Sequence, residues 1–279
     1  MKVSPCCREC LEKLVYQAAG LSTSDVSQRG IAVKAGLDVI DGTFSGDSVA
    51  PRIATDCQRA IKATVGNHDF YSDMKAGELK MAEALFKEVR SRYGEDLCSC
   101  VKLACLGNTI DFFKEPGYVA SEVRRPLTFA IDHTSLLEER LTSAELVLYL
   151  ADNAGECFFD LPLVKKIGRM TRVIYVVKGH PVQNDITMDD LSKAGLLEEM
   201  GEVMTTGSDA VGVDLGSASD RFKELFQSAD LVVAKGMANY ETLSELPIHG
   251  RIFHCLMAKC QPIADSLAVP LGSYVMLLR

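Results

Sequence analysis

The sequence predicts an α/β protein: a helical N-terminal part joined to a three-layer αβα part with a mainly parallel sheet. Up to about residue 125, apolar residues recur at helical spacing between capping residues. After about Thr142, short continuous apolar runs alternate with helical stretches. Runs that are apolar on both faces are what strands buried inside a parallel sheet require. These runs also end, one after another, in Lys, Asp or Gly. In open α/β sheets, ligands sit just beyond the carboxyl ends of the strands.

The helices come first. Ser4-Pro5 reads as an N-cap followed by proline at the first helical position. Ser24-Asp25 starts a second helix that ends before Gly42. A third runs from Pro51 to Val65 and stops at Gly66. A fourth, from Ser72 to Tyr93, closes at Gly94. Asp96 opens a fifth, which carries Val101, Leu103, Ala104 and Cys105 to Gly107-Asn108. Glu115-Pro116-Gly117 then breaks the pattern. The chain divides near residues 125 to 140, giving a helical domain over 1–125 and an αβα domain over 126–279.

The strands follow. Leu146-Val-Leu-Tyr-Leu150 runs into Ala151-Asp-Asn-Ala-Gly-Glu156. Arg172-Val-Ile-Tyr-Val-Val-Lys178 delivers Gly179-His180-Pro181 and then Asn184-Asp185. The weaker Glu202-Val-Met-Thr-Thr206 ends in Gly207-Ser208-Asp209. Asp230-Leu-Val-Val-Ala234 ends in Lys235-Gly236, and Arg251-Ile-Phe-His-Cys-Leu-Met-Ala258 ends in Lys259-Cys260. A parallel sheet gathers these endings on one edge, where carboxylates, lysines and small flexible turns meet. Metal-assisted phosphate chemistry needs that combination.

Composition sets the outer limits. The apolar content of 47% and charged content of 24% are those of a globular chain. A net charge of −8 argues against broad nucleic-acid binding, which rests on a basic surface. No apolar stretch approaches the roughly 20 residues of a membrane span. The N-terminal residues lack the apolar core of a signal peptide, so a cytoplasmic location is expected. Oligomeric state is left open, with a homo-oligomer among the options.

Ten cysteines are many for such a chain. Cys57, Cys105, Cys157 and Cys255 lie in apolar surroundings and read as small core residues. Cys6, Cys7 and Cys10 share one face of the first helix, and Cys98 and Cys100 form a close pair. These read as buried thiols or, more sharply, as a structural zinc site or redox pair. Gly66-Asn-His-Asp-Phe-Tyr71, followed by Lys75, and Gly107-Asn-Thr-Ile-Asp-Phe112 place polar residues at helix junctions. They read as helix caps, or as a helical cover over the sheet edge that reaches substrate.

At the heart of the pattern, Asp152 and Asn153 offer hard oxygen donors beyond a buried strand, where a divalent metal and an anionic substrate would meet. The bland alternative is an Asx turn that stops the strand. Asp152-Asn-Ala-Gly-Glu156 with Phe159-Asp160, Lys235-Gly236 with Asn239-Tyr-Glu-Thr-Leu243, Gly107-Asn108 with Asp111-Phe112, and Ala258-Lys-Cys260 resemble the damage-control phosphatase family. That family is also called domain of unknown function 89. The matches run in order over most of the chain, with the N-terminal cysteines of the prokaryotic and archaeal branch.

The resemblance implies a helical domain on a Rossmann-like αβα domain. It also implies metal-dependent hydrolysis of small phosphate esters, such as sugar phosphates or damaged phosphometabolites. Asp152, Asn153 and Asp185 match the metal ligands, with Asp189 and Asp190 the nearby alternatives to Asp185. The ion would be magnesium, manganese, cobalt or nickel. Lys235 matches a phosphate-contacting lysine, and Asn108, Asp111 and Glu156 match cleft-lining positions. Met237-Ala238 departs from the glycine-rich spacing often found between Lys-Gly and Asn-Tyr-Glu, which bears on substrate contacts around Asn239.

The chemistry expected follows from charge. A phosphate dianion repels an incoming nucleophile, so catalysis needs positive charge at the phosphoryl group. The metal supplies most of it, Lys235 neutralises another oxygen, and backbone N–H groups around Gly207-Ser208 and Gly236 cradle the rest. The nucleophile is either water at the metal or Asp152 itself. Two readings of other classes are an S-adenosylmethionine-dependent carboxyl methyltransferase and a non-catalytic, metal-dependent phosphometabolite-binding protein. The chain lacks a Gly-x-Gly-x-x-Gly turn after a strand, which counts against the first.

Overall fold

The structure, a computed structural model, describes residues 1–110, 115–248 and 250–279. Helix α1 (Cys7–Ser22) begins without a side-chain cap, since Ser4 contributes only its carbonyl, to the Cys7 N–H. Helix α2 (Val26–Thr43) is capped by Asp25, whose side chain accepts from the Gln28 N–H, and it runs through Gly42. Helix α3 (Ala50–Val65) ends at Gly66, which takes the left-handed conformation (φ +68°) that closes a helix. Helix α4 (Ser72–Val89) continues into one 3₁₀ turn at 90–92. Helix α5 (Leu97–Gly107) is capped by Asp96, as the sequence predicts. Short helices α6 (Pro116–Val123) and α7 (Thr134–Leu141) flank strand β1 (Phe129–Asp132).

Beyond residue 141 the expected alternation appears. Strand β2 (Leu146–Leu150) leads through a 3₁₀ turn at 154–156 into α8 (Cys157–Gly168). Strand β3 (Arg172–Val177), α9 (Met188–Lys193), β4 (Glu202–Thr205) and α10 (Asp220–Ser228) follow. Strand β5 (Leu231–Lys235), α11 (Gly236–Leu243), β6 (Ile252–Met257), α12 (Gln261–Leu267) and β7 (Tyr274–Leu278) complete the order.

Among the described residues, seven strands form one sheet in the order β1-β7-β6-β5-β2-β3-β4. The five strands from β6 to β4 are parallel. Strand β7 joins β6 antiparallel, and β1 pairs parallel with β7. The two reversed strands are an addition to the parallel pattern legible in the sequence. Burial in β1 alternates residue by residue, as befits an edge strand rather than a buried run.

Side-chain alternation builds the three layers. Val147 and Tyr149 of β2 pack into a cluster with α5 and α8, whereas Leu148 and Leu150 pack with Phe222 and Phe226 of α10. Gly107 in α5 allows close approach to α8, because a Cβ there would fall 2.8 Å from that of Phe159. Helices α1 to α3 form a separate cluster that includes Val182 and Val211, from the loops after β3 and β4. Arg59 on α3 pairs with Asp209 at 2.6 Å, and Lys62 donates to the Pro181 carbonyl. These helices therefore lie over the carboxyl edge of the sheet. No helix among the described residues is long and apolar enough to cross a membrane.

Cys57, Cys105, Cys157 and Cys255 are buried core residues. Cys6 and Cys10 are exposed and Cys7 is half-buried; Cys98 is half-buried while Cys100 is buried. Residues two apart on a helix point to different faces, which separates the last pair.

Candidate active site

Strand order reverses between β2 and β5, because the chain proceeds from β2 to β3 and β4 and then returns to β2's other side. A crevice at such a switch point is where α/β sheets bind ligands. Asp152 sits there, just past β2. Gly236 sits opposite, just past β5, with φ +77°. A Cβ on Gly236 would lie 1.8 Å from Asp152 Oδ2, so this position accepts only glycine in both conformation and space.

Asp185 reaches the same crevice through backbone pairing. The Ile186 N–H donates to the Asp152 carbonyl at 2.9 Å, the Ala154 N–H donates to the Asn184 carbonyl at 2.8 Å, and Asn153 and Asp185 form an antiparallel bridge. Three oxygen-bearing side chains, Asp152, Asn153 and Asp185, thus converge from two crossing segments. Asp189 and Asp190 are placed elsewhere. Asp189 is exposed and pairs with Lys193, and Asp190 forms a capping box with Thr187 and an ion pair with Lys75 at 2.8 Å.

A buried network lies beneath. Asn108, at the end of α5, donates to Glu156 Oε1 at 2.8 Å and to Asp152 Oδ2 at 3.2 Å, while its own oxygen accepts from the Met257 N–H. Asn153 Nδ2 donates to the same two carboxylates, at 2.8 Å to Glu156 and 3.3 Å to Asp152, which leaves its oxygen as the outward donor atom. Lys235 is fully buried, with its ammonium 2.5 Å from Glu156 Oε2 and 2.7 Å from Asp160 Oδ1. The hydroxyls of the stacked Tyr149 and Tyr175 also donate to Asp160. Burial alone would lower the Lys235 pKa, but Asp160 and Glu156 outweigh it and hold the ammonium charged well above its usual range.

Among the described residues, five acidic side chains gather here: Glu78, Asp152, Glu156, Asp160 and Asp185. Three lysines, Lys178, Lys235 and Lys259, face them, and Lys75, itself paired with Asp190, acts on Asp185, so acidic groups outnumber the cations. Burial first, and then repulsion from Glu156 and Asp185, pushes the Asp152 carboxyl well up. Burial raises Asp185 too, against the attraction of Lys178. Lys178 Nζ lies 3.2 Å from Asp185 Oδ2, yet that buried oxygen receives no aligned hydrogen bond. A divalent cation suits this setting, since it supplies two positive charges and takes carboxylate and carboxamide oxygens as ligands. No set of three or more His, Cys, Asp and Glu side chains arranged for a metal is found among the described residues. The donor set here is two carboxylates and one carboxamide.

The chain matches the damage-control phosphatase ARMT1-like domain over residues 3–275. It belongs to that family. A damage-control phosphatase of Pyrococcus horikoshii is 34% identical over 281 residues, covering 99% of this chain and 97% of that protein. One of Archaeoglobus fulgidus is 32% identical over 286 residues, covering 99% and 98%. An uncharacterised protein of Methanocaldococcus jannaschii is 33% identical over 293 residues, covering 100% and 96%. The crystal structure of a DUF89 family protein from P. horikoshii superposes with a TM-score of 0.89 at 32% identity, covering 100% of this chain and 99% of that one.

For this member of the damage-control phosphatase family, the structure brings together Asn108, Asp152, Asn153, Glu156, Asp185, Lys235 and Gly236. Asn239 lies beside them. Its amide donates to the carbonyls of Ala151 and Lys235, tying β2 to β5, and its buried oxygen has no donor. Asp111 lies outside the described residues. Gly207 and Ser208 are not brought to Asp152. They end β4, two strands from β2, and their amides already donate to the hydroxyls of Thr205 and Thr206 at 3.2 Å each. The phosphate cradle expected of those two amides is therefore absent, because the turn satisfies its own donors.

Two participants, Asp160 and Lys259, lie in motifs quoted from the sequence without a role, and a third, Glu78, is not legible there at all. Asp160 was visible as an acid in the first turn of an apolar helix. Lys259, half-buried, lies close enough to Asp152 and Glu156 to favour their charged forms. Glu78 comes from α4, and burial raises its carboxyl to about 7 against hydrogen bonds from Gly155 and Asn184. One expectation arises directly from the crevice. Gly236→Ala forces a Cβ onto Asp152 Oδ2, and displacing a reacting group by about 1 Å can cost on the order of 100-fold in rate. A steady-state assay should show that loss, and parent-like turnover would mean the crevice is not the site.

Proposed function

We propose that this protein is a divalent-metal-dependent phosphatase of small phosphorylated metabolites, sugar phosphates or damaged phosphometabolites, with the metal held by Asp152, Asn153 and Asp185. The observation that carries the reading is the backbone bridge that sets Asp185 against Asn153, in a crevice where acidic side chains outnumber the lysines facing them. The relatives named damage-control phosphatases support the same class of reaction. When bound, the ion would supply Lewis acidity and the positive charge that a phosphoryl transition state requires.

The chain's own residues divide the remaining work. Contact with a phosphate oxygen is assigned to Lys259, which is half-buried and near enough to Asp152 and Glu156 to favour their charged forms. Lys235 acts from below: it fixes Glu156, and Glu156 in turn orients the amides of Asn108 and Asn153 that hold Asp152. This differs from a direct grip on phosphate, because the Lys235 ammonium faces two buried carboxylates. Helices α1 to α3, lying over the carboxyl edge, limit access to small substrates and keep bulk water from the sheet end.

Hydrolysis of an aryl phosphate by chelator-stripped protein tests the reading. Turnover should be absent without metal and return with magnesium, manganese, cobalt or nickel. Full turnover after chelation overturns the metal role. Metal and phosphate binding without turnover under any of the four ions turns the enzyme into a binding protein. Metal should also raise the melting temperature by several degrees, since 100-fold saturation stabilises by about 2.7 kcal/mol.

A further inference from the structure

We propose that Glu78, on helix α4, is a positioning residue that sets the spacing between the two carboxylates of the metal site. The inference rests on the metal reading above. Glu78 is buried, and each of its carboxylate oxygens holds a different ligand-bearing segment. Oε1 accepts from the Gly155 N–H at 3.0 Å, two residues past Asn153, and Oε2 accepts from Asn184 Nδ2 at 3.0 Å, one residue before Asp185. The fit is close, because a Cβ on Gly155 would fall 3.0 Å from Glu78 Cγ and from Oε1.

The segment that carries Asp185 needs such an anchor. Gln183 holds a left-handed backbone conformation, φ +45°, which a residue with a Cβ keeps only where its surroundings over-determine it. The anchors are identifiable. Asn184 is fixed by Glu78 through its side chain and by Ala154 through its carbonyl. Three residues earlier on α4, Lys75 reaches Asp190 Oδ2 at 2.8 Å, and Asp190 also accepts from the Thr187 N–H and hydroxyl. Two buried charged side chains on one face of α4 therefore grip the 184–190 stretch at both ends. Glu78 thus bonds both metal-ligand segments through one side chain, in addition to the backbone bonds that join them directly, and so helps set how far Asp152 and Asp185 stand apart.

Manganese binding to chelator-stripped, full-length protein tests this by calorimetry, with Glu78→Gln and Glu78→Ala set against Glu83→Gln, a half-buried position on the same helix paired with Lys87. Glutamine keeps the volume and an acceptor for the Gly155 N–H, but it replaces the charge-assisted bond to Asn184 with at best a weaker neutral one. The expected result for Glu78→Gln is manganese affinity about 10- to 100-fold weaker, the usual effect of removing a partner behind a metal ligand. The melting temperature of the metal-free variant should stay within a few degrees of the parent, and Glu83→Gln should bind as the parent does. Recovery of most of kcat at saturating manganese would mark a positioning role. Parent-like affinity in Glu78→Gln overturns the clamp while leaving the metal reading intact. A parent protein that binds no manganese removes the metal reading and the clamp with it. If the alanine variant does not fold, the glutamine variant alone decides.

Discussion

Asp152→Asn is expected to remove metal-supported turnover by about 10³-fold, equivalent to about 4 kcal/mol of transition-state stabilisation, while leaving the metal-free protein at least as stable as the parent. The two halves of this expectation share one cause. Burial and repulsion from Glu156 and Asp185 push the Asp152 carboxyl well up, so its charged form carries an electrostatic cost in the absence of a cation. Asparagine keeps an oxygen to accept from Asn108 and Asn153 but carries no charge. The cost disappears together with the metal site. Thermal melts with and without manganese check both halves. The variant should melt at or above the metal-free parent and show no upward shift on adding metal. A variant that keeps parent-like metal affinity and turnover would place the metal elsewhere.

Lys235→Ala is expected to destabilise the fold by about 3–5 kcal/mol, the cost of leaving buried charges without their partner. This is far more than the loss of a phosphate contact at a strand end would produce. Lys235 has no exposure, and its ammonium is the counter-charge for both Glu156 and Asp160, which are themselves fully buried. Denaturant titration measures the change directly. The decisive comparison is Lys235→Met combined with Glu156→Gln and Asp160→Asn, which removes all three charges at once. That triple variant should recover part of the stability, because no charge is left buried without a counter-charge, while the new amide N–H groups still cost where they lack acceptors. Turnover should stay below that of the parent, because the neutral amide of Glu156→Gln holds Asn108 and Asn153 less firmly than the carboxylate does. A single Lys235→Ala variant that melts like the parent would restore Lys235 to a purely ligand-facing role.

Much of the site was legible because strand ends are marked in sequence. Leu146–Leu150 and Leu231–Lys235 are apolar runs that stop at Asp152 and Gly236, and a parallel sheet brings such stops to one edge. What that reading misjudged was the direction of Lys235. It was placed beyond its strand, whereas it is the last residue of β5, and alternation sends it to the same face as Leu231 and Val233. That face carries α8 and Asp160, not the substrate edge. Gly207 and Ser208 were misjudged for a related reason. A turn ending a strand has donors that suit a phosphate, but here neighbouring threonine hydroxyls already satisfy them.

The sequence by itself determined the main helices, the caps at Asp25, Gly66 and Asp96, the five parallel strands, and the types of side chain available at their ends, although the Ser4 cap did not form. Each of these rests on local propensity, hydrophobic period or turn chemistry, which act over a few residues. Only the tertiary structure decided that Asp185, rather than Asp189 or Asp190, meets Asp152, and that Glu78, Asp160 and Lys259 belong to the same network. It also decided the two reversed strands, β1 and β7, that extend the sheet beyond β6. These outcomes depend on strand order and loop crossing, which bring together residues far apart in the chain. Charge interactions fall off with distance in space, so no local pattern could reveal which carboxylates would repel one another until the sheet had set them side by side.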